Sequence, residues 1–77
     1  MDATEIGATI EAHRRTAGLS RIACARLAGI GKTALFDLEH GKSTVKLCTV
    51  LAVLDALNME IGLRSPLAEN SRATGDR

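Results

Sequence analysis

Glycines at nearly even intervals divide most of this chain into short segments. Gly18, Gly29 and Gly41 follow one another at spacings of eleven and twelve residues. Each comes after a stretch whose apolar residues recur with the period of a helix, and glycine is common just past a helix C-terminus. The pattern therefore predicts short helices joined by tight turns.

Two Gly-Lys triplets, residues 31–33 and 41–43, resemble the end of a nucleotide-binding P-loop. That loop requires a further glycine five residues before the glycine of the triplet, directly after a strand. Arg26 and Phe36 occupy the two required positions, and the preceding residues have a helical period. A P-loop is therefore excluded, and the glycines are better explained as helix ends.

The chain has 77 residues, which allows one small domain with a marginal core. Phe36 is the single aromatic residue, so the core must be aliphatic. Cys24 and Cys48 lie far apart and form no metal-ligand spacing, so we expect no zinc or other cofactor and two reduced thiols packed as small hydrophobic groups. Oligomerisation is then the remaining source of extra stability.

Four helices are predicted, at about residues 4–17, 21–28, 32–39 and 47–57. The first should bury the stripe of Ile6, Ile10 and Ala17, with His13 at its edge. Ser20 is the expected N-cap of the second helix. The residues expected to face inward from the other three helices are Ala23, Cys24, Leu27, Leu35, Leu38, Val50, Leu54 and Leu57.

The period changes to two after Asn58. Met59, Ile61 and Leu63 alternate with less apolar residues, which predicts a short strand over about residues 59–64. A lone strand leaves unpaired edges, so we expect it to pair with the same segment of a second subunit. Residues 1–64 would form the domain, and the polar segment 65–77 is expected to be a disordered tail.

Charge is unevenly distributed along the chain. Residues 13–46 contain seven Arg and Lys residues against Asp37 and Glu39, whereas the rest contains three against seven acidic residues. A basic middle suits a polyanionic partner. The alternative is that these charges form an ordinary solvated surface with no such partner, and charge alone does not distinguish the two. No apolar run is long enough for a membrane span, and no leader peptide is evident, so a cytoplasmic protein is expected.

The second and third predicted helices, joined by "AGIG", have the arrangement of a helix-turn-helix motif. Ala25 provides the small residue needed where the two helices cross. The stretch "GLSRIACARLAGIGKTALFDLEHGKSTVKLCTVLAVLDALNMEIGL" resembles the Cro/phage-repressor (XRE-type) helix-turn-helix family, and most closely its HipB-like antitoxin branch. Departures from the family pattern include Cys24 in place of leucine and Gly31 in place of a hydroxyl-bearing cap.

The resemblance implies an all-α repressor-like domain of four to five helices whose third helix enters the DNA major groove. Base contacts would come from Lys32, Thr33, Phe36 and Asp37. Phosphate contacts would come from Arg21, Gly31, Lys42, Ser43, Thr44 and Lys46. It also implies an ion pair between Arg14 and Glu39, and strand pairing through Met59, Ile61 and Leu63 in a homodimer.

Three functional classes stay open at this point. The resemblance favours a DNA-binding transcriptional repressor that is also the antitoxin of a HipA-like kinase toxin in a bacterial cytoplasm, associated with the nucleoid when bound. A stand-alone repressor or restriction–modification controller of the same fold is the second class. A protein-interaction module without DNA binding is the third, and no set of residues suggests an enzyme.

Overall fold

The computed structural model describes residues 1–63, which form four helices. They are α1 (Ala3–Thr16), α2 (Arg21–Ala28), α3 (Lys32–Glu39) and α4 (Leu47–Ala56). The four predicted helices are confirmed, with ends that differ by one residue at most. Helix α1 packs mainly on α3, and α4 packs mainly on α2.

Local sequence accounts for several helix ends. Asp2 and Ser20 accept hydrogen bonds through their side chains from the backbone N–H groups of Glu5 and Ala23, which caps α1 and α2. Gly29 has a φ of 74° and ends α2 in the left-handed conformation that glycine adopts without strain. The Ile30 N–H then donates to the Ala25 carbonyl oxygen at 3.0 Å, which reverses the chain into α3.

The core is small and aliphatic, as expected. Its buried hydrophobic residues are Ile10, Cys24, Ala25, Leu35, Leu38, Val53 and Leu54. Val50 and Leu57 are partly buried against this cluster.

Two helix faces differ from their prediction. Helix α1 buries Gly7, Ile10 and Arg14, a face rotated by roughly 60° from the predicted apolar stripe at 3.6 residues per turn. His13 and Ala17 are exposed. In α2, Leu27 is 63% exposed, contrary to the prediction, whereas Cys24 is buried as predicted and Ala25 is buried at the close crossing with neighbouring helices.

Gly7 explains the rotation of α1. A Cβ atom at this position would overlap the carbonyl oxygen of Leu38 and lie 2.9 Å from that of Glu39. Helix α1 therefore crosses the end of α3 at a distance that only glycine permits. The face chosen by this close approach is the one that carries Arg14 inward.

The segment after α4, up to residue 63, has no regular secondary structure. Asn58 has a φ of 56°, and residues 59–63 form neither helix nor strand. The predicted strand needs a second subunit, so it stays a prediction. Residue 64 and the predicted tail at 65–77 lie outside the described residues.

Candidate nucleic-acid interface

A buried ion-pair network lies where α1, α2 and α3 meet. Arg14 donates from Nε to Glu39 Oε2 at 2.6 Å and from Nη2 to Glu39 Oε1 at 3.1 Å. The remaining Arg14 nitrogen, Nη1, donates to the Leu19 carbonyl oxygen at 2.8 Å. The Glu39 side chain is completely buried, and the network links α1 both to the end of α3 and to the loop before α2.

The same carboxylate also binds a second guanidinium. Arg21 Nε donates to Glu39 Oε1 at 2.9 Å. Burial opposes ionisation of Glu39, but hydrogen bonds from Arg14 and Arg21 outweigh it and lower the pKa of this carboxyl below its usual value. The hydrogen bond to Glu39 in turn raises the pKa of Arg14. Glu39 is therefore a fixed negative charge that positions two arginines.

Arg21 is also held by an aromatic ring. Its guanidinium carbon lies 5.2 Å from the centroid of the Phe36 ring, whose other neighbour is His40, stacked at 3.8 Å with an interplanar angle of 20°. Phe36 is 44% exposed, so the ring lies at the surface of α3. The ring and Glu39 together orient the first residue of α2 toward the start of α3.

A surface cleft brings together residues from both helices of the motif. Arg21, Lys32, Thr33 and Phe36 line this cleft, which has a volume of about 290 Å³. We refer to these four residues as the recognition cleft. Lys32 and Thr33 are exposed in the first turn of α3, where backbone N–H groups also face outward. Gly31 caps the helix without a side chain, and nothing lies within 4 Å of where its Cβ would be.

The other predicted contact residues lie at the far end of α3 and in the loop after it. Lys42 Nζ lies 3.5 Å from Asp37 Oδ2, so this candidate phosphate ligand is paired with a candidate base reader. Ser43, Thr44 and Lys46 are exposed in the loop before α4. This loop and the recognition cleft lie at opposite ends of α3.

Sequence reasoning missed one member of this region. Glu11 Oε2 accepts a hydrogen bond from Arg15 Nη2 at 2.9 Å and lies 3.9 Å from Arg21 Nη2. The four-residue spacing of Glu11 and Arg15 on one helix could have suggested the first contact. The contact with Arg21 depends on how α1 packs beside α2.

The two thiols have different environments. Cys24 is fully buried, and burial raises the pKa of its thiol, so it remains protonated. Cys48 is exposed, which corrects the expectation that both cysteines are packed inside. Within residues 1–63 no three His, Cys, Asp or Glu side chains are grouped so that they could hold a metal ion. Over the same residues, no helix has the length and apolar character needed to cross a membrane.

An apolar groove lies elsewhere on the domain. It has a volume of about 510 Å³ and lies between the first half of α1 and the segment after α4. Ile6, Leu54, Met59 and Ile61 supply much of its apolar lining. The predicted dimerisation residues Met59 and Ile61 therefore lie beside α1, and Leu63 is 88% exposed.

Comparison with known proteins agrees with this geometry. The family model of the helix-turn-helix domain matches residues 5–67, which include α2, α3, α4 and all but the first two residues of α1. A Sinorhizobium fredii protein named as an uncharacterized HTH-type transcriptional regulator, y4mF, is 36% identical over 62 residues, covering 80% of this chain and 82% of that protein. On these matches and on the arrangement of α2 and α3, the chain belongs to the helix-turn-helix domain family.

Proposed function

We propose that this protein is a transcriptional repressor that binds double-stranded DNA sequence-specifically as a homodimer. The observation that carries the proposal is the recognition cleft, in which Arg21 from the start of α2 lies beside Lys32 and Thr33 from the start of α3. A helix-turn-helix protein requires this juxtaposition, because the first residues of both helices approach the same DNA segment. The protein would therefore act by binding and not by catalysis.

Each cleft residue has a distinct chemical capacity for DNA. Lys32 is an exposed donor at a helix N-terminus, suited to the O6 and N7 acceptors of guanine in the major groove. Thr33 can donate, accept or contact a thymine methyl group. Arg21 is oriented by Glu39 and Phe36 and can offer its remaining nitrogens to a phosphate.

The loop after α3 would supply further phosphate contacts. Lys42, Ser43, Thr44 and Lys46 are exposed there, and two of them carry positive charge. Lys42 must exchange its contact with Asp37 for a phosphate oxygen. The exchange costs little because both side chains are partly exposed and an exposed ion pair contributes about 1 kcal/mol or less.

Homodimerisation would come from pairing of residues 59–64 across a two-fold axis. Support comes from the exposed apolar side chains in the C-terminal part of the described chain: Leu47, Leu51, Ile61 and Leu63. Within residues 1–63 these groups remain exposed. A two-fold dimer presents two recognition helices, so the operator should be an inverted repeat with half-sites about 34 Å apart.

The test compares two lysine variants on specific and random duplexes. Lys32→Ala should weaken binding to the operator by about 1–3 kcal/mol and relax the preference at one operator position. Lys42→Ala should weaken binding to both duplexes alike and reduce the salt slope by about 1. Titration by fluorescence anisotropy at several salt concentrations measures both. Equal weakening of both duplexes by Lys32→Ala would show that α3 does not read bases.

On the resemblance to HipB-like antitoxins we further propose that the protein represses its own operon and neutralises a HipA-like kinase toxin. The neighbouring gene and co-purification with its product test this role. If no kinase-like gene adjoins, the stand-alone repressor or restriction–modification controller becomes the better assignment. If wild-type protein binds no duplex even at low salt, a protein-interaction role replaces all of these.

A further inference from the structure

Two arginine side chains at or near the recognition cleft, Arg15 and Arg21, lie close to a carboxylate. Glu11, on α1, lies between them, with its Oε2 atom 2.9 Å from Arg15 Nη2 and 3.9 Å from Arg21 Nη2. Its side chain is 30% exposed. The carboxylate is thus accessible from outside and adjacent to the guanidinium that is the proposed phosphate ligand.

The geometry of Arg21 separates two of its nitrogens. Its Nε is bound to the fully buried Glu39, and its guanidinium carbon lies 5.2 Å from the centroid of the Phe36 ring. Its Nη2 is the atom near Glu11, at a separation too long for a good hydrogen bond. Glu39 therefore anchors the group, whereas Glu11 attracts only its outer edge.

We propose that Glu11 is a positioning residue that competes with DNA phosphate for Arg15 and Arg21 and so limits the affinity of the protein for DNA. This inference rests on the proposed function. When a phosphate arrives, Arg21 keeps its bond to Glu39 and turns its outer edge from Glu11 to the phosphate oxygen. Glu11 then remains as a negative charge beside the DNA backbone, which opposes binding at every sequence.

The expected effect is electrostatic and moderate. Glu11 and both arginines are partly exposed, so solvent and salt screen their interaction. Removing the carboxylate charge should tighten binding by about three- to tenfold at low salt, where the Debye length is longest. The salt slope should steepen by up to about 0.9, the value for one additional phosphate contact.

The experiment compares Glu11→Gln with Glu5→Gln. Both changes remove one carboxylate charge from α1, but Glu5 lines the apolar groove and pairs with the N-terminal amine, 3.4 Å away. The probe is a fluorescein-labelled duplex of random sequence, titrated between about 50 and 200 mM salt. Glu11→Gln should bind more tightly than wild type, with a gap that narrows as salt rises, and Glu5→Gln should change affinity about twofold or less.

Two further variants separate competition from a structural role. Glu11→Ala should tighten binding like Glu11→Gln, and it keeps the result measurable if one substitution perturbs α1. In an Arg21→Gln background the gain from Glu11→Gln should become smaller, because one of the released guanidiniums is absent. A purely structural role of Glu11 would lower thermal stability without tightening binding or steepening the salt slope.

The outcomes distinguish this inference from the function on which it rests. If neither wild type nor Glu11→Gln binds the duplex at the lowest salt, the proposed function is wrong and the inference fails with it. If wild type binds and folded Glu11→Gln binds no more tightly than Glu5→Gln, only the competition by Glu11 is wrong. An undiminished gain in the Arg21→Gln background would also overturn the assignment to Arg21.

Discussion

Within residues 1–63, the junction of α1 with α3 and the segment from α4 to Leu63 differ in how many of their side chains are buried against other residues. At the junction, Arg14 and Glu39 are both buried and fully hydrogen-bonded, and Gly7 lets the backbones touch. From α4 onward, Leu47, Leu51, Ile61 and Leu63 remain exposed. The polar network at the junction is formed by residues of one chain. The exposed apolar side chains from α4 onward offer a surface that a partner could cover.

This difference separates two requirements of the proposed function. The junction fixes the end of α3 and, through Glu39, the direction of Arg21, so the recognition cleft needs only one subunit. In the proposed dimer, the C-terminal apolar groups are buried by a second subunit. Folding of the cleft and formation of the dimer should therefore be separable by mutation.

The largest effect is expected at the junction. Glu39→Ala leaves Arg14 buried without a counter-charge, which typically costs about 3–5 kcal/mol. Urea denaturation measures the loss. Glu5→Ala, an exposed site on α1, is the control and should change stability by about 0.5 kcal/mol or less. A loss below about 1 kcal/mol for Glu39→Ala would mean that the network is not what holds α1 to α3.

The next effect is expected in the C-terminal segment and should leave the junction intact. Ile61→Lys should weaken the dimer by about 3 kcal/mol, at about 1.5 kcal/mol for each buried copy of the side chain. Sedimentation over a range of concentrations measures the change, and circular dichroism should show unchanged helix content. Glu60→Lys, a more polar neighbour in the same segment, is the control. An unaltered dimer would show that residues 59–64 do not form the interface.

A smaller effect is expected from the close approach of α1. Gly7→Ala adds a Cβ against the carbonyl groups of Leu38 and Glu39, and such overpacking costs about 1–3 kcal/mol. Gly62→Ala, where nothing lies within 4 Å of the added atom, is the control and should be nearly neutral. Urea denaturation compares the two. Stabilisation by Gly7→Ala, as helix propensity alone predicts, would show that the two backbones can separate freely.

The smallest effect is the acid sensitivity of the junction under mild conditions. Because the pKa of Glu39 is lowered in the folded state, its contribution is fully present above the unfolded carboxyl value of about 4.3 and is lost as pH falls through the folded value. The melting temperature of the wild type should therefore decrease as pH falls below about 4.3. The part of this decrease that is due to Glu39 should be absent in Glu39→Gln. Equal acid profiles for the two proteins would assign the sensitivity to other carboxyl groups.

The helices could be predicted because residues close in sequence determine where they end. Ser20 and Gly29 cap α2 through contacts within a few residues, so no knowledge of packing was required. Which face of each helix is buried was harder to predict. Hydrophobic periodicity placed both Cys24 and Leu27 inside. Cys24 is buried, but the tight crossing of α2 leaves Leu27 exposed and buries Ala25.

The candidate site was predictable to a similar degree. The resemblance implied base contacts by Lys32 and Thr33 at the start of the third helix. Both residues are exposed there, and the contacts stay a prediction. The resemblance also implied an Arg14–Glu39 pair, and the two side chains lie within 2.6 Å. The contacts of Arg21 with Glu39, Phe36 and Glu11 join residues far apart in sequence, so no local pattern contains them.

The sequence by itself determined the number of helices, their limits and the basic character of the middle of the chain. Capping residues and glycines set the helix ends through contacts within a few residues, so these ends do not depend on how the helices pack. Only the tertiary structure decided which face of α1 is buried and which carboxylates meet Arg21. Those outcomes depend on backbone distances between helices, above all at Gly7, where the absence of one Cβ atom allows α1 to carry Arg14 to Glu39.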